Sequence, residues 1–361
     1  MANKLKKFVA LVLVIITAFT PIACKKQTYV TRSETVFSSD ILMSISAYGL
    51  TDADLDEAYD FASELNALIN PNIPSSQIAI FNGMQTGQLN VSKHVYSLVE
   101  QAKQAWEDSN GAFDVTLSSL SQLWKVDSEN IFESHDHELP NGFQLDAISS
   151  TMHGVELSQK TDGYYLVKTI PTALLDLGGI AKGYLCDEIA KILSRKGCTS
   201  ALVDVGGNLL LLGSHKTDSS ASEKWRVGVK SPTSAGYLCG ISVENSSVVT
   251  SGTYERYYEK DGVRYCHILN PYTKMPIGVT KDEQGYKNEN AYVISCTVWG
   301  LSGAKCDALA TAVCVLGIDS GKQLLEENDA TAIIVTSDGK YATVGNVDFM
   351  VGYEIEGLER A

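Results

Sequence analysis

Positive charge is scarce in this chain. Across 361 residues, 29 lysines and arginines stand against 43 aspartates and glutamates, a formal charge of −14. That balance excludes nonspecific nucleic-acid binding, and an anionic ligand would need local cations, N–H groups or a metal. The eight cysteines include no C-x-x-C pair, so a zinc ribbon is not expected. Cys186, Cys198, Cys239, Cys266, Cys296, Cys306 and Cys314 lie mostly in apolar stretches, where cysteine packs as a small core residue. Whether any of them pair is left open by the sequence. There is no repeat of fixed period, no G-x-G-x-x-G run, and no Lys-Ser/Thr pair after Gly183 to make a Walker A loop. After residue 40 no linker divides the chain.

What is present begins with an N-terminal export signal. Lys4, Lys6 and Lys7 precede an apolar run, Phe8 to Phe19, too short to span a bilayer comfortably. Pro21-Ile22-Ala23-Cys24 follows and resembles a bacterial lipobox. The expectation is a signal peptide over 1–23, lipidation of Cys24, and an extracytoplasmic domain anchored to the cell membrane. An ordinary signal peptide with an incidental cysteine is the alternative. Residues 24–39 are polar and read as a tether, and 40–361 as one domain. An apolar share of 44% is that of a globular protein.

Hydrophobic periodicity supplies the elements. Residues 40–48 read as a first strand. Residues 51–69 form an amphipathic helix with Leu55, Ala58, Ala62, Leu65 and Ile69 on one face. Ser92 caps a second helix, which ends at Asn110-Gly111. Residues 126–141, with His135 and His137 among acids, read as a surface excursion rather than a metal site. Residues 163–175 read as a strand pair, 181–196 as a helix, and 201–205, 209–212, 225–229, 241–249 and 291–298 as strands. Asp261-Gly262 signals a hairpin between 254–258 and 263–269 that sets His267 opposite Arg256. Residues 301–316 and 320–327 read as helices leading into closing strands. The expected class is α+β, a single intertwined domain of mixed and antiparallel sheets with packed helices.

Several stretches could carry chemistry, and each also has a plain structural reading. Leu175-Asp176-Leu177-Gly178-Gly179-Ile180-Ala181-Lys182-Gly183-Tyr184 brings three glycines and a lysine to a strand–helix join. Its N–H groups could face an anion, or it could be a tight turn. Gly111-Ala112-Phe113-Asp114-Val115-Thr116 is either a helix stop with a capping Asp or a loop meeting a polar ligand edge. Asp307 and Thr311, at i and i+4 among alanines, offer two hard oxygens on one helix face, suited to Mg²⁺. Otherwise Asp307 is a helix cap and Thr311 is bonded back to its own helix. His267 is a structural strand residue or a general base. Ser251-Gly252-Thr253 could line a ligand. Asp187, inside a helix, could simply face water.

Taken in order, these stretches resemble the FAD:protein FMN transferase family, also called the ApbE family. The resemblance runs through Met43, Gly111 to Thr116, Asp176 to Tyr184, Asp204-Val205-Gly206-Gly207-Asn208, Ser251 to Arg256, His267-Ile268-Leu269-Asn270-Pro271 and Asp307 to Ala312. It spans about residues 40–350. Three positions depart from the family pattern: Asn72 where a flavin-stacking aromatic is usual, Ser44 after the Met, and Asn270 before Pro271. The resemblance implies Mg²⁺-dependent movement of FMN from FAD to a Thr hydroxyl of a target protein, with release of AMP. It implies Mg²⁺ held by Gly179, Asp307 and Thr311. FAD would be bound by Met43, Ala112, Phe113, Asp114, Asp176, Lys182 and Ile268, and His267 would act as base on the acceptor. Hydrolysis of FAD to FMN and AMP at the same site is the nearest alternative, and a non-catalytic flavin-binding lipoprotein the next.

Overall fold

A computed structural model describes residues 28–37, 41–126, 138–216 and 222–361. Cys24, the signal segment, His135 and His137 lie outside the described residues.

The chain opens with β1 (Tyr29–Val36) and β2 (Ile41–Tyr48), paired antiparallel along their lengths. Within the stretch expected as a tether, Tyr29–Val36 is therefore a strand. Tyr29 to Val36 can form an edge strand because β2 leaves one side of its ladder open to pairing. A short 3-10 turn at 52–55 leads into α1 (Asp56–Ile69), then α2 (Gln77–Gly83), β3 (Gly87–Val91) and α3 (Lys93–Asp108). Ser92 caps α3 as expected, its hydroxyl accepting from Val95 N–H at 3.2 Å. Helices α4 (Ser118–Trp124) and α5 (Gly142–Asp146) precede the hairpin β4 (Val155–Lys160) and β5 (Gly163–Lys168), on which β3 adds a third strand. The expected pair over 163–175 is thus one strand whose partner lies upstream.

Helix α6 (Gly178–Arg195) joins this part to β6 (Ser200–Val205) and β7 (Asn208–Gly213). It starts three residues earlier than periodicity suggests, so Gly178 and Gly179 form its first turn. The short strands β8 (His215–Lys216) and β9 (Ser222–Glu223) follow, then β10 (Trp225–Lys230), β11 (Tyr237–Val243) and β12 (Ser246–Gly252). The expected strand 241–249 is cut at Glu244-Asn245, where Asn245 takes φ 45° and reverses the chain. In the next hairpin, β13 (Tyr257–Lys260) and β14 (Val263–Cys266), Asp261 and Gly262 take φ 53° and 76°, the pattern of a type I′ turn. The remaining elements are β15 (Val279–Asp282), β16 (Gly285–Asn288), β17 (Val293–Gly300), α7 (Gly303–Glu327), β18 (Thr331–Thr336), β19 (Lys340–Val344) and β20 (Glu359–Arg360). Gly317, at φ 78° and ψ −173°, interrupts α7 between the two helices read from the sequence.

Nine strands form the main sheet in the order β1-β2-β6-β7-β12-β17-β18-β19-β20, antiparallel except for the last pair. Alternation along β18 sends Ala332 and Ile334 to the helix side and Ile333 and Val335 to the side covered by β10 and β11. A third core, with Trp124, Tyr258 and Tyr265, binds α4 to the hairpins β13–β14 and β15–β16. All seven described cysteines are buried free thiols. Burial raises the pKa of each.

The contact that positions the site is between α6 and α7. A Cβ on Gly183 would lie 2.2 Å from the Gly303 carbonyl oxygen, and one on Gly303 would lie 2.6 Å from that of Gly183. Only two glycines allow the helix backbones to meet this closely. One turn further along α6, the Asp187 carboxylate accepts from Ser302 hydroxyl (3.0 Å), Gly303 N–H (2.6 Å) and Ala304 N–H (3.1 Å). Asp187 is half-buried, and its carboxylate is turned to α7 rather than left to water. It satisfies the open N–H groups of α7 from a neighbouring helix.

Two substitutions test this joint. Gly183→Ala should cost about 3 kcal/mol or more, because backbone rather than a side-chain tip must move, and should lower the melting temperature by roughly 5–10 °C. Gly83→Ala, where a Cβ meets nothing within 4 Å, is the control and should melt as wild type or slightly higher. Equal melting of the two variants would contradict the crossing. Asp187→Ala should cost about 2 kcal/mol through loss of the cap. Unchanged thermal unfolding of that variant would contradict the capping role.

Candidate active site

The joint delivers Asp307 to the start of α6. Gly303 and Asp307 are one turn apart on α7, so the face that touches Gly183 also presents this carboxylate. Its Oδ2 accepts from Gly183 N–H at 3.1 Å, and its Oδ1 lies 3.7 Å from Lys182 Nζ. The residue is 3% exposed. Burial raises its pKa, while Lys182, the Gly183 N–H and the Asn208 amide oppose the rise. Asn208 stands beside this carboxylate, although its Nδ2 makes no hydrogen bond of good geometry. Asp307 is not a helix cap, because Ser302 occupies that position and accepts from Lys305 N–H at 3.3 Å. Thr311 is not bonded back to its own helix either. Its hydroxyl pairs with Ser251 Oγ at 3.0 Å, which brings the end of β12 to the same place.

His267 approaches from the third core. It lies opposite Arg256, as the hairpin register requires, with its N–H donating to the Arg256 carbonyl at 3.1 Å. Its Nδ1 is also 3.1 Å from that carbonyl oxygen. A carbonyl only accepts, so Nδ1 carries the proton and the Nε2 lone pair is left for another partner. Burial lowers the ring's pKa to about 3, and the positive charges of Arg256 and Lys182 push the same way. The ring keeps part of its surface open but sits in dense surroundings, and it is neutral at ordinary pH. The influence of Lys182 on both His267 and Asp307 places the three in one electrostatic neighbourhood.

The loop 111–116 closes another side. A Cβ on Gly179 would lie 3.3 Å from the Phe113 ring, so this loop packs on the first turn of α6. Asp114 Oδ1 accepts from Thr116 N–H (2.7 Å) and Thr116 hydroxyl (2.6 Å), while its Oδ2 is buried without a partner. An orphaned carboxylate oxygen is costly unless a ligand donates to it. Asp176 Oδ1 accepts from Gly178 N–H at 2.9 Å and holds the entry to α6. Met43, Ala112, Phe113 and Ile268 are different in kind. All four are buried in the main core, and Met43 has no exposed surface. Their side chains support the walls of the site and offer little free surface in this conformation.

Sequence reasoning missed Asp187. Its signal was available, since Gly179, Gly183 and Asp187 recur at intervals of four and so share one face of α6. Asn270, a departure from the family pattern, still makes the turn. Its Oδ1 accepts from Tyr272 N–H (2.9 Å) and Thr273 N–H (3.1 Å), as an aspartate would.

A metal fits this donor set. Among the described residues no group of three or more His, Cys, Asp or Glu is assembled, so a cation would have few protein ligands. Mg²⁺ accepts that arrangement, keeping waters and taking phosphate oxygens beside one or two carboxylates. The buried Asp307 carboxylate also lacks full charge compensation, with Lys182 at 3.7 Å its one ion pair among the described residues.

Known proteins resemble this chain in sequence and fold. A model of the ApbE family matches residues 35–335. An FAD:protein FMN transferase of Treponema pallidum is 31% identical over 306 residues, 82% of this chain and 81% of that protein. One from Klebsiella pneumoniae is 30% identical over 312 residues, 85% and 89% of the two chains. The apo flavinyl transferase ApbE of Pseudomonas stutzeri superposes with a TM-score of 0.72 at 24% identity, over 89% of this chain and 95% of that one. The ApbE protein of Thermotoga maritima gives 0.73 at 24% identity, over 88% and 97%. These two establish the fold. By the extent of the family match and the identity shared with the two transferases, the chain belongs to the ApbE family.

Proposed function

We propose that this protein transfers FMN from FAD to a threonine hydroxyl of a target protein, releases AMP, and requires Mg²⁺. The observation that carries the reading is the Asp307 carboxylate held against Gly183 and Lys182, with His267 in the same neighbourhood. Helices α6 and α7 run past each other so that Asp187 meets Gly303, and Gly183 meets Gly303 and Asp307. Continuing that register by one turn of about 5.4 Å carries Gly179 towards Asp307 and Thr311. A regular helix would give the Gly183 N–H to the Gly179 carbonyl, and here that N–H donates to Asp307. A carbonyl has two lone pairs, so Gly179 retains acceptor capacity for a cation.

Asp307, Thr311 and the Gly179 carbonyl would hold Mg²⁺, which when bound neutralises charge on the diphosphate oxygens of FAD. Lys182 adds a positive charge beside the same oxygens. Asp114 Oδ2 and Asp176 accept from polar edges of FAD. His267 Nε2 takes the proton of the acceptor hydroxyl as its oxygen bonds to the FMN phosphorus. The bond from that phosphorus to the bridging oxygen breaks, and AMP leaves with that oxygen. The neutral ring is available for this at any ordinary pH. Cys24 would carry the lipid that keeps the domain at the outer face of the cell membrane, where the target flavoprotein subunit is met.

Incubation with FAD, Mg²⁺ and a protein bearing an acceptor threonine tests the reading by mass spectrometry. An FMN adduct and AMP are expected. Free FMN and AMP without an adduct would replace transfer by hydrolysis, and intact FAD would refute both. Asp307→Asn should fold as wild type, since it removes a buried charge, yet lose at least 100-fold in rate and all response to Mg²⁺. Full activity in EDTA or in this variant would remove the metal from the mechanism.

His267→Ala should lower kcat roughly 100-fold or more, with KM for FAD within about threefold. Because the pKa of His267 is depressed from 6.5 to about 3, the unfolded chain takes up a proton below about 6.5 that the folded chain refuses. Stability therefore falls as pH drops through that window, and less so in His267→Ala. The same shift predicts no acid limb near pH 6.5 in the wild-type rate. A limb there that vanishes in the variant would contradict the neutral-base assignment.

A further inference from the structure

Asn72 stands where the resemblance to the ApbE family implies a flavin-stacking aromatic. Asn72 is exposed and carries no ring, its N–H bonded to Asn70 Oδ1 at 2.9 Å. We propose that Tyr272 supplies the aromatic platform in this protein, receiving a planar ring of FAD on its open face. The inference rests on the FAD reading above.

Tyr272 is 54% exposed, yet it is held at both ends. Its N–H donates to Asn270 Oδ1 at 2.9 Å, and its hydroxyl donates to the Asn110 carbonyl at 3.0 Å. The turn beneath it is fixed from the other side, where Trp124 Nε1 donates to the Lys274 carbonyl at 2.7 Å. The ring therefore bridges two segments that flank the site. One continues from His267 through Asn270, and the other enters the Gly111–Asp114 loop that packs on Gly179. A tyrosine with exposed ring atoms and a satisfied hydroxyl has an apolar face and no polar group left to solvate. Because it is already pinned, binding a ring on it loses little conformational freedom. Tyr257, an exposed aromatic of the neighbouring hairpin, has the Arg264 guanidinium 4.1 Å above its ring.

Stacking of a heteroaromatic ring on a tyrosine should change affinity about tenfold or more. FAD titration followed by flavin fluorescence tests this. Tyr272→Leu should bind FAD about tenfold more weakly, whereas Tyr272→Phe, which keeps the ring and loses the hydroxyl, should bind within about threefold of wild type. If bound flavin is also brighter in Tyr272→Leu, the isoalloxazine is the ring that stacks. Weaker binding with unchanged emission assigns the adenine. Equal losses in the Phe and Leu variants would show a strut and overturn the proposal, as would unchanged affinity in Tyr272→Leu. Should Tyr272→Leu fail to fold, Tyr272→Trp decides: its indole should deepen quenching or tighten binding, and no change in either overturns the platform. Failure of the wild-type protein to bind FAD would sink the proposed function itself.

Discussion

Everything at the site depends on the place where Gly183 and Gly303 meet. Two helix backbones in van der Waals contact leave no room for side chains, so the crossing fixes the position of both helices more tightly than packing of larger residues would. From there regular helix geometry does the rest. Four residues beyond Gly303 is Asp307, and four beyond that is Thr311. On the partner helix, four residues before Gly183 is Gly179 and four after it is Asp187. The two stripes face each other, with Asp187 closing one end of the seam by capping α7. At the other end the Gly111–Asp114 loop packs on Gly179 through Phe113.

The electrostatics follow from that burial. A carboxylate in the position of Asp307 has little water, and its pKa rises because protein supplies only one backbone N–H, one distant ammonium and a nearby amide. Asp187 is less buried and is met by three donors at a helix N-terminus, so its role is structural. Two acids of one seam, Asp187 on α6 and Asp307 on α7, thus divide into a satisfied one and an unsatisfied one. The unsatisfied acid, with the partnerless Asp114 Oδ2 nearby in the fold, is where a cation and a polar ligand are accommodated most readily.

Much of this was legible in the sequence. Period and turn chemistry located α3, the β13–β14 hairpin and the break in α7 at Gly317, because each rests on local rules: a capping serine, an Asp-Gly turn, a glycine outside the helical region. The hairpin even set His267 across from Arg256. What stayed hidden is tertiary. Tyr29 to Val36 is polar and becomes a strand only because β2 offers an edge. Residues 241–249 look continuous because both β11 and β12 are buried, and only Asn245 marks the reversal. Asp187 resembles a surface acid until the N-terminus of α7 is brought against it. Asp307 and Thr311 could have been a cap and a back-bonded hydroxyl, and the true cap, Ser302, is distinguished only by the hydrogen bond it makes.

The central claim is that the facing stripes on α6 and α7 hold a divalent cation at the diphosphate of FAD. Crystals of the protein grown with FAD and Mn²⁺ in place of Mg²⁺ test it directly through anomalous scattering. The account predicts a single strong peak within about 2.4 Å of Asp307, Thr311 and the Gly179 carbonyl, with phosphate oxygens completing the shell. A peak elsewhere, or FAD bound with Lys182 alone against its phosphates and no metal at Asp307, would contradict it.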